Sequence, residues 1–353
     1  MTFPLTVIAG SSAKVQLRQH GWQPELFSAM VGASGGAKLL GIAQLDRTIF
    51  ADFISRSDHP MELYGSSIGS WRHAALASPD PVNAIEQLQH RYLNQTWDQH
   101  DTRSREEIVD GLCSWVLDGF LTDEVIRAII NHPRFTTHIV TARGLGLNNR
   151  TNDWLLALGM AASAAGNLVH RKLLEFGFQR VVFSSGPSET FHFLDFKTVH
   201  VPLSDRLLKP ALTASGSIPF LMGGVEFQHE APPGQYWDGG IIDYHFDFMN
   251  QTGCGLLLYP HFGRSVVRGW FDKLLGWRRT PSSLLDRTVI IAPSDTYLAE
   301  LQGGKIPDRK DFTRYTDEER LHIWRAAVHR SQLLADAFHE MISHPNPMAF
   351  VAD

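Results

Sequence analysis

Cysteine is nearly absent from this chain of 353 residues: there are two, Cys113 and Cys254, and no Cys-x-x-Cys pair. Neither a disulfide framework nor a cysteine zinc site is therefore expected. An excess of positive charge is missing too. Lys and Arg total 32 against 37 Asp and Glu, a net charge of −5, whereas a nucleic-acid footprint is basic. The 17 histidines are scattered, with no His-Glu-x-x-His or comparable spacing, so metal catalysis is not expected. The longest apolar stretch, residues 154–165, is too short and too rich in Ala and Gly to span a bilayer. The first residues carry neither a basic segment nor a long apolar run, so no secretory signal is expected, and the expected location is the cytoplasm. Apolar residues at 43% and charged residues at 20% make an ordinary globular balance. The length suggests one large or two moderate domains.

Short apolar runs alternate with longer segments of helical period, which predicts an α/β fold. The runs 5–9, 27–31, 61–64, 136–141, 180–184, 255–259 and 288–292 read as strands. Residues 191–201 alternate like an edge or hairpin region. Helices are expected over 13–20, 39–54, 68–77, 153–176, 207–215 and 320–342. Residues 82–133 read as helices with charged faces, a helical insertion rather than part of the sheet. No internal repeat or linker appears. The simplest organisation is a single domain over 1–353, closed by a C-terminal helical segment at 320–353.

Two glycine-flanked serines follow a strand and precede a helix. Gly65-Ser66-Ser67-Ile68-Gly69 and Gly32-Ala33-Ser34-Gly35-Gly36 both fit G-x-S-x-G, the spacing of a strained strand-to-helix elbow that exposes a serine nucleophile. A Gly-Ser turn without chemistry fits either match equally well. Their surroundings differ. An oxyanion hole needs convergent backbone N–H groups, which consecutive glycines allow. Ser34-Gly35-Gly36-Ala37-Lys38 is such a loop, upstream of Ser67 by a helix and a strand. Ser34 would have to rely on Gly10-Ser11-Ser12, which has a single glycine. Ser67 is therefore favoured, with Ser34 the competitor. A Walker phosphate loop is ruled out, because Ala37 separates Gly36 from Lys38 and Leu39 follows. A serine also needs a base. Asp238-Gly239-Gly240 offers a carboxylate in a glycine turn, although Asp-Gly is equally a common turn pair.

Upstream of that turn lies Ala214-Ser215-Gly216-Ser217-Ile218-Pro219. With the glycine loop at 34–39, the elbow at 65–69 and Asp238-Gly239-Gly240, the chain resembles the patatin-like phospholipase family over about residues 30 to 245. The family's patterns are G-G-G-x-R-G, G-x-S-x-G, A-S-x-x-I-P and D-G-G or D-G-A, in that order. Here Ser34 replaces the first glycine, Lys38 the arginine and Leu39 the last glycine, and Tyr244 and His245 follow the final turn. The resemblance implies a three-layer α/β/α fold with a mainly parallel sheet. It implies a Ser67–Asp238 dyad acting on lipid or other carboxylic esters, an oxyanion hole from Gly35 and Gly36, and elbow glycines Gly65 and Gly69. No metal or organic cofactor is called for. His245 is left as a structural residue or a third member. An acyltransferase, or a binding protein that keeps the motifs, are the alternatives.

Residues 264–279 read Arg-Ser-Val-Val-Arg-Gly-Trp-Phe-Asp-Lys-Leu-Leu-Gly-Trp-Arg-Arg. On a helix, Val267, Trp270, Phe271, Leu274 and Trp277 share one face, with cations opposite. That is the pattern of an interfacial helix making peripheral membrane contact, and equally of a helix packing its aromatic face on the core. Gly269 and Gly276 weaken the helix.

Overall fold

The structure is a computed structural model that describes residues 3–352 apart from 99, 196, 247, 249 and 250, with the backbone alone for 282. Among these residues the strands are β1 (Leu5–Ala9), β2 (Phe27–Gly32), β3 (Met61–Ser66), β4 (Phe135–Gly144), β5 (Phe178–Ser184), β6 (Thr198–Pro202), β7 (Val225–Phe227), β8 (Gly234–Trp237), β9 (Leu256–Pro260) and β10 (Thr288–Pro293). They form one sheet in the order β1-β10-β9-β2-β3-β4-β5-β6, with the β7–β8 hairpin attached to β4. The run from β10 to β4 is parallel throughout. β1 joins it antiparallel at one side and β5 at the other. Strands of a parallel sheet covered on both faces read as continuous apolar runs, and every residue of β9 and β10 is buried.

The α-helices are α1 (Ser11–His20), α2 (Ala43–Thr48), α3 (Ile68–Leu76), α4 (Pro81–Leu93), α5 (Arg105–Leu117), α6 (Asp123–Ile130), α7 (Asp153–Val169), α8 (Asp205–Gly216), α9 (Asp295–Ala299), α10 (Asp311–Arg314), α11 (Asp317–Arg330) and α12 (Gln332–Ser343). They flank the sheet in the expected α/β/α layering. The segment read as a helical insertion is α4, α5 and α6. Each is started by a side-chain cap, from Asp80, Ser104 and Thr122 in turn, which satisfies amide groups that a helix start leaves orphaned. Most of the apolar core is one cluster. A smaller one joins Ala142, Leu156, Phe178, Trp237, Ile241 and Ile242 beneath α7.

Four expectations change. Residues 39–54 are helical but broken into a 3-10 turn, α2 and a π turn. The long helix expected over 153–176 stops at His170, whose ring nitrogen accepts the Lys172 N–H and starts a separate 3-10 turn. The hairpin reading of 191–201 gives way to β6, an edge strand parallel to β5; residue 196 lies outside the described residues. The helix of 264–279 does not form. That stretch holds two 3-10 turns, Trp270–Asp272 and Gly276–Arg278. Val267 is buried, Trp270 and Phe271 are half-buried, and Leu274 and Trp277 point to solvent. Its five apolar residues therefore do not share a face. The reason is Asp272, buried and bonded to Asn167 and the Gly269 N–H, which ties the stretch to α7.

Candidate active site

The site begins where β3 runs into α3. Ser67 stands at the junction with φ 55° and ψ −130°, a conformation that costs a non-glycine residue about 1–3 kcal/mol. The turn holds because the backbone behind it is packed without room for side chains. A Cβ on Gly69 would sit 2.0 Å from the carbonyl oxygen of Gly32 at the end of β2. Gly32 is also the register partner of Gly65. The elbow is thus pressed against the strand that leads into the glycine loop.

Asp238 closes β8 and caps the 3-10 turn Gly239–Ile241. Its two oxygens have different partners: Oδ1 accepts the Gly240 N–H at 2.7 Å, and Oδ2 accepts the Ser67 hydroxyl at 2.8 Å. The end of α8 braces both residues. The Ser67 N–H donates to Ser215 Oγ at 2.9 Å, and that hydroxyl donates to the Val140 carbonyl at 2.7 Å. The Asp238 N–H donates to the Ser217 carbonyl at 2.7 Å. The Ala-Ser-Gly-Ser-Ile-Pro segment therefore clamps the two motifs together, a role its sequence did not disclose.

Ser34 lies elsewhere. It is buried, its hydroxyl 3.0 Å from Ser66 Oγ, and its N–H donates to the Tyr244 carbonyl at 2.9 Å. It ties the glycine loop to the residue before Ser67 and makes no bond to Asp238. Gly35 leads into the 3-10 segment Gly36–Ile42, and Gly36 adopts φ +55°, a left-handed conformation that glycine enters freely. Gly36 and Ser67 line the same cavity of about 750 Å³, within the range of ligand clefts. Trp71, Ile108, Leu112 and Met222 contribute apolar wall, and Arg103, Arg105, Arg309 and Lys310 contribute charge. His245 faces away: its Nδ1 accepts the Val267 N–H, and burial holds the ring well below its usual pKa, with His261 adding to that.

Burial pushes the Asp238 carboxyl above the ordinary range. The Ser67 hydroxyl and the Gly240 N–H pull it back, as do the charges of Lys273 and Arg309. Lys273 is the most informative residue the motifs missed. Its ammonium lies 3.8 Å from the centroid of the Tyr244 ring. Burial lowers it to about 8, against the pull of Asp238 and with help from Lys38 and Arg309. Lys38 is lowered as well, by burial first, with Asp308 opposing. The only sequence signal for Lys273 was its place in the basic, aromatic stretch at 264–279.

A serine on a strained elbow, hydrogen-bonded to a buried carboxylate at the wall of an apolar cavity, is the layout that acyl-group chemistry on an α/β fold requires. The model of the patatin-like phospholipase family matches residues 25–245, and the chain belongs to that family. Membership supports lipid acyl hydrolysis as the general activity. No curated protein and no solved structure matches the chain significantly. Among the described residues no helix is long and apolar enough to cross a membrane.

Proposed function

We propose that the chain is a serine esterase of the phospholipase type, cleaving carboxylic esters of lipids through an acyl-enzyme on Ser67. The observation that carries this reading is the 2.8 Å hydrogen bond from Ser67 Oγ to Asp238 Oδ2 at the wall of the apolar cavity. Ser67 Oγ attacks the ester carbonyl carbon as its proton passes to Asp238. The carbonyl oxygen takes the negative charge and is held by the N–H groups of Gly35 and Gly36. The intermediate collapses, the C–O bond breaks, and Asp238 returns the proton to the departing alcohol. A water then gives its proton to Asp238 and adds to the acyl carbon. Collapse frees the acid, and Ser67 recovers its proton. The raised pKa of Asp238 suits a group that must both take and return a proton. We read all 353 residues as one such domain, because β9 and β10, which follow the matched region, stand between β1 and β2.

Fluorophosphonate labelling with peptide mapping tests the assignment. The label is expected on Ser67 and lost in Ser67→Ala. Asp238→Asn is expected to lower ester turnover by about 100- to 10,000-fold, the range for loss of a positioned base. A label on Ser34 would reassign the nucleophile. Absence of label together with absence of turnover on short and long acyl esters would favour a binding protein that keeps the fold.

A further inference from the structure

α7 packs Leu156 and Met160 inward but leaves most of its large apolar side chains outside. Gly159, Ser163 and Asn167 are among its buried residues, and the two polar ones are bonded inside, Ser163 to Asn148 and Asn167 to Asp272. Five larger apolar side chains face out. Trp154 is 73% exposed and Val169 77%, and Leu155, Leu158 and Leu168 are also exposed. Ala161, Ala162 and Ala165 fill the spaces between them. This is one helical stripe, and it does not end with the helix. Phe176, 74% exposed, follows in the next turn. Arg278 donates to the Leu168 carbonyl at 3.0 Å, which brings the 264–279 stretch alongside, with Leu274 93% and Trp277 74% exposed. Scattered exposed apolar residues are normal, but a continuous patch marks an interaction surface.

We infer that this face docks on a lipid surface bearing anionic headgroups. Two observations select that occupant over a protein partner. First, Arg150, Lys172, Arg278 and Arg279 flank the apolar residues along the chain, against Asp153 and Glu175, a net positive balance, and Arg278 is bonded to α7 itself. Trp, Phe and Leu flanked by Arg and Lys is the composition of a helix lying in a bilayer interface. Second, the patch is continuous with the site. The 3-10 turn Trp270–Asp272 packs against α7, and Trp270 lines the cavity that holds Ser67. A surface that seats α7 in the headgroup layer places that cavity beside its lipid. The inference rests on the proposed lipid-ester reading for its purpose, but not for its measurement.

Vesicle co-sedimentation of the full chain tests it, with phosphatidylcholine vesicles and with vesicles that also contain phosphatidylglycerol. The wild type is expected to pellet, more strongly with the anionic vesicles. Leu158→Asp/Leu168→Asp is expected to reduce partitioning by at least about tenfold, since each substitution replaces apolar burial in the lipid with a charge. Lys172→Glu/Arg279→Glu is expected to remove the preference for phosphatidylglycerol. Turnover of a short, water-soluble ester should be unchanged in both variants, because none of these residues touches Ser67 or the cavity. A wild type that turns over the soluble ester yet stays in the supernatant with both vesicles overturns the docking surface and spares the esterase reading. One that pellets without turning over any ester does the reverse. Equal pelleting of the Leu158→Asp/Leu168→Asp variant also overturns it. So does a dimer, seen by analytical ultracentrifugation, that this variant breaks, because the face then belongs to a second copy.

Discussion

As the proposed base, Asp238 would act only when ionised, and burial raises its pKa. The acid limb of kcat/KM is therefore expected above the ordinary carboxylate value of about 3.9. Besides burial, the groups that set it are the Ser67 hydroxyl, the Gly240 N–H and the cations Lys273 and Arg309; the neutral phenols of Tyr92 and Tyr244 lie near enough for Asp238 to raise their own pKa values. A positive charge favours the carboxylate, so Lys273→Met should move the acid limb to higher pH. A profile that stays in place would mean that Lys273 exerts no field on the base. Ser67, Asp238, Gly35 and Gly36, proposed as dyad and oxyanion hole, stand out in the sequence because an elbow and a glycine loop are local patterns with fixed spacing. Lys273 and Arg309 do not. They reach the dyad across long stretches of chain, and no short-range pattern encodes such a meeting.

Between the DGG turn and the 264–279 stretch runs a buried ionic network. Arg180 on β5 bonds Asp243 at 2.6 Å and 3.0 Å and Asp195 at 2.6 Å. Arg171 lies 3.5 Å from Asp243 and 3.7 Å from Asp272. Arg180 and Asp243 are fully buried, so removal of Arg180 takes both close hydrogen bonds from Asp243 and leaves it the longer contact to Arg171. Arg180→Met is expected to lower the unfolding free energy by about 3–5 kcal/mol, the usual cost of breaking a buried pair, as read by urea unfolding. A loss below about 1 kcal/mol, the scale of exposed pairs, would show that the network does not hold these elements. The same network explains the misread helix. The periodicity at 264–279 is real, but Asp272 is drawn into the core by Asn167 and Arg171, and tertiary contacts override local propensity. α7 shows the converse. Its length and composition predicted a helix, which formed, but period alone could not tell that five of its large apolar side chains would point outward.

The whole chain carries a net charge of −5, yet Arg103, Arg105, Arg309 and Lys310 line the cavity beside Ser67. A cleft of one sign concentrates ligands of the other. For an ester with an anionic headgroup, kcat/KM is expected to fall as ionic strength rises from about 0.01 to 0.15 M, which shortens the screening length from about 30 to 8 Å. A neutral ester of the same acyl chain should respond little; equal responses would sink the idea. Alternating strands and helices made the α/β class readable at this scale, and the family motifs carried the mainly parallel sheet. The order of strands was not readable, because no local period says that β9 and β10 slot between β1 and β2. That order has a consequence for biosynthesis. β2, which delivers the glycine loop, pairs with β9, and β1 pairs along its length with β10, so a ribosome must make nearly 300 residues before the first strand has that partner. Until then the inner edge of β2 is an open template for foreign strands. The nascent chain is therefore expected to assemble its site late, after most of it has been made, with chaperones as its natural custodians in the interval.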